Sequence, residues 1–442
     1  MDYPVWYVPY LTAPLLIPLI AVPHVIVAQF AVGGGILLAD LTQRSYAGKH
    51  AAILKYLKRL TQVFVLITVV FGAVTGVGIW WTIGLTSPET TSALIHIFVF
   101  GWAAEWAVFV LEIAAAFVFY YFWGRLAPRD HIIVGWIYGI AAWVSLVLIT
   151  GITAFMLTTG DWSPDKSFFT AFFNPSFLPQ VLLRTGGSIA IAALGITVHL
   201  SFQTDEALSK DLIVRWMSRW ALAGIVLIFA GGLWYLFVMP DHAQLNLMRA
   251  PILLGMTVVN LLITVLVMVA LAWGQFAGAR WITPPAAILL LVAGATAITT
   301  GEFVREGARK PYRIDQYIFA PGVRSSEVKD FQRNGLIRHA PWLHYYLDQK
   351  LPVDASLHGQ TLSPDDKAEV GKALFRYHCS ACHAEWGYNG MVPILRPWTP
   401  ELIRDTTRNL HRANPAMPPW MGNAAERDAL AVYLERLSRE QP

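Results

Sequence analysis

LIHIFVFGWAAEWAVFVLEIAAAFVFYYFW, residues 94–123, is an apolar run interrupted only by the ionisable side chains His96, Glu105 and Glu112. A helix of about 20 apolar residues crosses the hydrocarbon core of a bilayer, so this run is long enough to span one. Glu105 and Glu112 are two helical turns apart, so they share a face and stand about 10 Å apart along it. Inside hydrocarbon a carboxylate costs kilocalories unless something pairs or ligates it. Two in one stripe form the pattern of a proton relay toward a buried site where electrons arrive. The plainer reading is that one of them neutralises a cation, and Arg184 stands at the start of a later span.

Similar runs lie at about 12–39, 61–83, 132–158, 180–203, 213–239, 251–273 and 282–300. Together they make about eight spans and an all-α, polytopic membrane helix bundle. Composition agrees. Hydrophobic residues are 55% and charged residues 14% of the chain, far from a soluble average. The net charge of +4 is small, and no basic block is long enough to engage nucleic acid. An even number of spans puts both termini on one side. Residues 1–10 hold no Lys or Arg, which suits a translocated N-terminus better than a signal peptide. The connections expected inside carry Arg44, Lys49, Lys55, Lys58 and Arg59, then Arg125 and Arg129, then Lys210, Arg215 and Arg219, then Arg280. The connection at 84–93 has no basic residue, and 159–179 and 240–248 are nearly free of them. By the positive-inside rule both termini lie outside.

Cys379-Ser380-Ala381-Cys382-His383 contains both cysteines of the chain. Cys-x-x-Cys followed at once by His is a c-type haem attachment signature, with two thioethers to the porphyrin and an imidazole on the iron. A zinc site needs more cysteines, and a thioredoxin-like motif needs a βαβ pattern around it. With both thiols committed to haem, no disulfide is expected. Attachment occurs outside the cytoplasmic membrane, which agrees with the loop charges. The expected setting is therefore a bacterial inner membrane, crossed several times, with a periplasmic C-terminus. We divide the chain into a transmembrane haem domain (1–305), a periplasmic connector (306–360) and a small haem c domain (361–442). In the last, Ser363-Pro364 opens a helix to about Tyr377, with Ser as N-cap. Asn423 and Glu426 open a closing helix. Helix, pentad, loop and terminal helix resemble the layout of a class I cytochrome c domain. Met417, in Ala416-Met417-Pro418-Pro419-Trp420, is the expected second axial ligand. Met421 and His411 compete, Met391 is less well placed, and a core thioether is the plain alternative.

Other ionisable residues fall within or near spans: His24, His96 and His199, and at the end of the last span Glu302 and Glu306, four apart on one face. Arg305, Arg309, Lys310 and Arg313 follow, a basic cluster suited to haem propionates. His96 and His199 fit structural hydrogen bonding equally well.

At these residues the membrane part, roughly 15–320, resembles subunit I of the cytochrome bd quinol oxidases. Phe71-Gly72-Ala73-Val74-Thr75-Gly76 resembles the second-span motif. Glu105 through Leu111-Glu112 to Trp123-Gly124-Arg125-Leu126 resembles the paired-Glu proton-channel helix, although those glutamates are normally eight apart. That leaves a one-residue deletion or a bulge in this chain. Asn174-Pro175 also matches, and Val304-Arg305-Glu306-Gly307-Ala308-Arg309-Lys310-Pro311-Tyr312 is similar to the Glu-x-Gly-Arg-Gln-Pro-Trp segment. The resemblance implies His24 and Glu306 as iron ligands of active-site haems, one or two haems b or d, and Arg309 near propionates. It also implies a second membrane subunit.

The departures matter as much. The family's low-spin haem b takes a His and a Met where this chain has Arg184 and Pro251. A Trp one turn before the ligating Glu is Glu302 here, and Met239 to Arg249 replaces the long quinol-binding loop. His96 or His199 remains available to a displaced haem b. The leading expectation is an oxidoreductase that takes electrons through its own haem c and reduces oxygen between His24 and Glu306. Its donor would be a periplasmic cytochrome or other carrier. The alternatives are a quinol-linked subunit that delivers electrons through haem c to a periplasmic acceptor, and a non-catalytic haem anchor of a larger respiratory complex.

Overall fold

The computed structural model describes residues 5–8, 10–340, 343, 344, 347, 357 and 362–440. It forms two compact units, one of Met1–Ile20, Ile79–Leu94 and Arg309–Pro442, the other of Ala21–Gly78 and Ile95–Ala308.

Helices α1 (Ala13–Ala47), α2 (Ala51–Val65), α3 (Gly72–Thr86), α4 (Pro88–Ile97), α5 (Val99–Tyr121) and α6 (Pro128–Ala154) come first. They are followed by α7 (Phe168–Phe172), α8 (Phe177–Ser201), α9 (Lys210–Val238), α10 (Asp241–Arg249), α11 (Pro251–Ala277) and α12 (Pro284–Ala308). A π-helical segment, Leu66–Phe71, joins α2 to α3, so the two make one crossing. Eight helical stretches among the described residues are long and apolar enough to cross a membrane. Small residues let them approach closely. A Cβ on Gly33 of α1 would lie 1.9 Å from the Ser188 carbonyl oxygen of α8, and one on Gly186 of α8 would lie 2.5 Å from Gly224 O of α9.

The ends of the spans differ from the apolar runs for physical reasons. Helix α1 continues to Ala47, beyond the run that stops at 39, because Arg44 pairs with Asp40 at 2.7 Å one turn away and Trp220 Nε1 donates to Asp40 at 3.1 Å. The run at 94–123 holds a break at Phe98, with φ −114° and ψ 29°. Its fully buried ring packs edge-on against Phe155 and Phe168, a tertiary contact with no local signal. Helix α12 continues to Ala308, so Glu302 and Glu306 both ride on it.

In the other unit, β1 (Tyr312–Ile314) and β2 (Ile318–Phe319) form an antiparallel hairpin. Ser363 Oγ accepts from Asp366 N at 3.1 Å and caps the helix Pro364–Leu374. That helix runs on as a π turn, Phe375–Cys379, up to the pentad. The capping box at Asn423 and Glu426 opens Ala424–Leu437. The two helices cross at Gly371, where a Cβ would lie 2.1 Å from Ala429 O. Their core of Val370, Leu374, Phe375, Leu430 and Leu434 also takes in Phe331, Leu336 and Ile337. The segment expected to be a connector therefore shares the core of the terminal domain, at least as far as 340. Residues 348–356 and 358–361 lie outside the described residues.

Candidate functional site

In the helical unit, the His24 ring on α1 is held by the Phe71–Gly76 segment. His24 Nδ1 lies 3.2 Å from Gly72 O and 3.1 Å from Thr75 Oγ1. A Cβ at Gly76 would come within 3.1 Å of His24 Cε1, so the bare glycine lets the ring pack closely against this helix. Among the described residues no hydrogen bond engages Nε2. An imidazole whose Nδ1–H is given to a backbone carbonyl is fixed in the tautomer that offers Nε2 to a metal. His24 thus fits an iron ligand, and the second-span motif is what orients it.

Helix α5 is unbroken from Val99 to Tyr121. No bulge therefore lies between Glu105 and Glu112. Both carboxylates lie on the face that carries the buried Ala115 and Phe119, while Phe100, Trp106, Val110 and Leu111 cover the exposed face. Helix α6 opposes this stripe with one of its own. Ser145 Oγ donates to Glu105 Oε1 at 3.2 Å, Tyr138 stands by the Glu112 carboxylate with its hydroxyl donated to Ala31 O at 3.5 Å, and His131 stacks on Phe119 at 4.4 Å. Ser145, Tyr138 and His131 are spaced by sevens, like the α5 set they face. Sequence reasoning missed them; the matching heptad spacing was the available signal.

Arg184 and Glu302, two of the departures noted above, meet in the structure. Arg184 Nη2 is 3.8 Å from Glu302 Oε1, and Arg305 Nη2 is 2.8 Å from Glu302 Oε2. Arg305, expected at propionates, is held in this triad, with Nη1 buried and without a hydrogen-bond partner. Two cations on one carboxylate explain how charge survives here inside a membrane bundle. An arginine already paired in this way does not fit as a haem ligand. Pro251 opens α11 and has no donor atom to offer iron. Glu306 follows Glu302 by one turn on α12. His96 is exposed. His199 packs on Tyr56 at 5.4 Å, with a buried Nδ1 lacking a hydrogen-bond partner.

In the other unit, Cys379 and Cys382 are both free thiols, and burial pushes the Cys379 thiol up to about 12. His383 N bonds to Cys379 O at 2.9 Å, so the pentad forms one helical turn. His383 Nδ1 lies 3.0 Å from Asn389 O, and Asn389 Nδ2 donates to Cys382 O at 2.8 Å. That again leaves Nε2 for a metal. Just before the pentad, Arg376 Nε and His378 Nε2 are buried without a hydrogen-bond partner. Burial pulls the His378 imidazole down to about 4, so it is neutral. Two orphaned nitrogens beside two free thiols fit a prosthetic group that the polypeptide does not itself supply. Met421 is fully buried in the core, whereas Met417 is half-buried, with His411 Nδ1 2.9 Å from its carbonyl oxygen. Arg309 is buried in this unit.

The profile of cytochrome bd terminal oxidase subunit I matches residues 15–240. That of cytochrome c oxidase, cbb3-type, subunit III, matches residues 366–434. The first range holds His24 and both carboxylates and stops short of Glu306; the second holds the pentad and Met417. Among solved structures, the fold is similar to the bd oxidase from Geobacillus thermodenitrificans, with TM-score 0.57 and 17% identity, covering 68% of this chain and 87% of that one. No curated protein matches.

Proposed function

Because the chain belongs to the cytochrome bd terminal oxidase subunit I family, we propose that it is a respiratory oxidoreductase that takes electrons through its own haem c to reduce oxygen at membrane haems. The observation that carries this reading is the His24 cradle, because Nδ1 is committed to Gly72 O and Nε2 is left for iron. Bound haem supplies one-electron transfer and, at an open iron position, oxygen binding. Cys379 and Cys382 hold the single haem c, and His383 and Met417 ligate its iron. His24 and Glu306 ligate one or two membrane haems of type b or d, with Arg309 and the free Nη1 of Arg305 serving propionates. Glu112 and Glu105 hand on protons, a role supported by their shared face on α5 and by the Ser145 hydroxyl that Glu105 accepts from on α6.

The Arg184–Glu302–Arg305 triad supports the loss of the low-spin haem b. The connection between α9 and α11 holds only the nine-residue α10, which supports the loss of a quinol entry. The protein then draws on a periplasmic donor, works beside a second membrane subunit, and has its N-terminus and haem c domain in the periplasm of a bacterial inner membrane. Stopped-flow spectroscopy tests the reading. Haem c is expected to be reoxidised rapidly by oxygen, with quinol a poor donor, and His24→Ala to abolish the reoxidation while haem c stays attached. A complex that reduces cytochrome c with quinol and consumes no oxygen overturns it. A pyridine haemochrome counts the c, b and d haems directly.

A further inference from the structure

We propose that the N-terminal segment carrying Trp6, Tyr7 and Tyr10 is a strap that holds the haem c pentad in one fixed orientation on the end of α3, with Trp6 and Tyr7 as its positioning residues; the proposal deepens the reading above and rests on its use of haem c as the electron port. The strap, residues 79–94 and the haem c domain belong to one compact unit. Residues 5–8 lie in no helix or strand, so their backbone groups must find partners elsewhere. Trp6 N donates to Leu85 O at 2.9 Å. Leu85 stands in the last turn of α3, where a carbonyl has no donor within its own helix. The Trp6 indole adds an edge contact at 5.0 Å with Trp81, one turn earlier on α3.

The same segment grips the pentad from both flanks. Three residues before Cys379, the Arg376 guanidinium lies over the Tyr7 ring, 5.0 Å from its centroid, a cation–π contact. Five residues after His383, Tyr388 N donates to Tyr10 O at 3.0 Å. The two backbones approach closely. A Cβ on Gly387 would lie 2.5 Å from Tyr10 O, and Gly387 has φ +91°, a conformation open to glycine. Tyr10 itself has φ +65°, uncommon for so large a residue and kept only where its surroundings impose it. The gripped loop also orients the expected iron ligand, because Asn389 O, one residue on, accepts from His383 Nδ1 at 3.0 Å. A second contact meets α4, where a Cβ on Gly322 would come within 3.5 Å of the Glu89 side chain. Loss of the strap therefore loosens the pentad's orientation without releasing the domain. The helix that takes the strap at its last turn is the one whose first turn holds the His24 ring.

The test uses the full haem-loaded protein in oriented membrane multilayers, with linear dichroism of the haem c band read against that of the helix amide band. Wild type is expected to show haem c dichroism. Trp6→Ala combined with Tyr7→Ala is expected to lose it while a pyridine haemochrome finds haem c still attached. Trp6→Phe combined with Tyr7→Phe is expected to retain it, because both contacts need only an aromatic ring. Wild-type haem c without dichroism on oriented helices overturns the proposal. So does an alanine pair with wild-type dichroism, or a phenylalanine pair that loses it as fully as the alanine pair. If the alanine pair fails to fold, hydrogen exchange of wild type decides: the Trp6 and Tyr388 amides are expected to be protected, and exchange at the rate of unbonded amides overturns the strap. Wild-type haem c that oxygen does not reoxidise sinks the oxidase reading instead, and the dichroism still decides the strap.

Discussion

Replacing Glu426 with alanine is expected to detach the segment around Leu336 from the haem c unit. The fully buried carboxylate accepts three backbone N–H bonds, from Leu336 at 2.9 Å, Ile337 at 2.8 Å and Asn423 at 2.8 Å. Gly335, at φ +95°, makes the turn that aims the first two at it. A buried donor left unpaired costs about 1–3 kcal/mol. Asn423 can turn to water at its helix end, so the loss comes mainly from the other two and amounts to about 4 kcal/mol. For a unit of this size that is a fall in melting temperature of roughly 8–16 °C. The assay follows haem c dichroism of the full-length protein during heating, together with the rate of tryptic cleavage after the exposed Arg338. Glu426→Gln keeps one acceptor and should fall between wild type and alanine. A Glu426→Ala protein that melts within about 2 °C of wild type and is cleaved no faster refutes the reasoning, because the three bonds would then contribute nothing net.

Two further outcomes follow from the ionisable groups. Glu302→Gln leaves Arg184 and Arg305 facing one another and is expected to destabilise the helical unit by about 3–5 kcal/mol, while replacing Glu302, Arg184 and Arg305 together by methionine costs much less; thermal aggregation in detergent measures both. Burial raises Asp315 to about 6 from its ordinary 3.8. Its proton is held more tightly in the folded than in the unfolded chain, so this stability is complete below about pH 4 and lost as pH rises through about 6. Asp315→Asn should flatten that slope, worth up to about 3 kcal/mol, in denaturant titrations across that window.

Much of the site was legible in the chain before it folded. Apolar length alone separates membrane helices from the rest, since hydrocarbon tolerates no unpaired backbone groups. Cys379, Cys382 and His383 carry their chemistry in their spacing. The Asn423–Glu426 capping box announced the last helix, because a cap is satisfied within four residues. The same local logic says nothing about the other two bonds of Glu426, which go to Leu336 and Ile337, some ninety residues earlier.

Sequence by itself therefore determined the elements whose forces are local: span length, charge bias, helix caps and the haem-binding pentad. Only the tertiary structure decided the pairings. It brought Arg184 onto Glu302, laid Gly72 and Thr75 around His24, broke the quoted run at Phe98 between two distant rings, and set the Tyr138 hydroxyl of α6 on Ala31 O of α1. Each of these is a buried polar or aromatic group whose cost is met by a partner on another helix. Such a partner is specified by how the helices pack and leaves no trace in the residues next door.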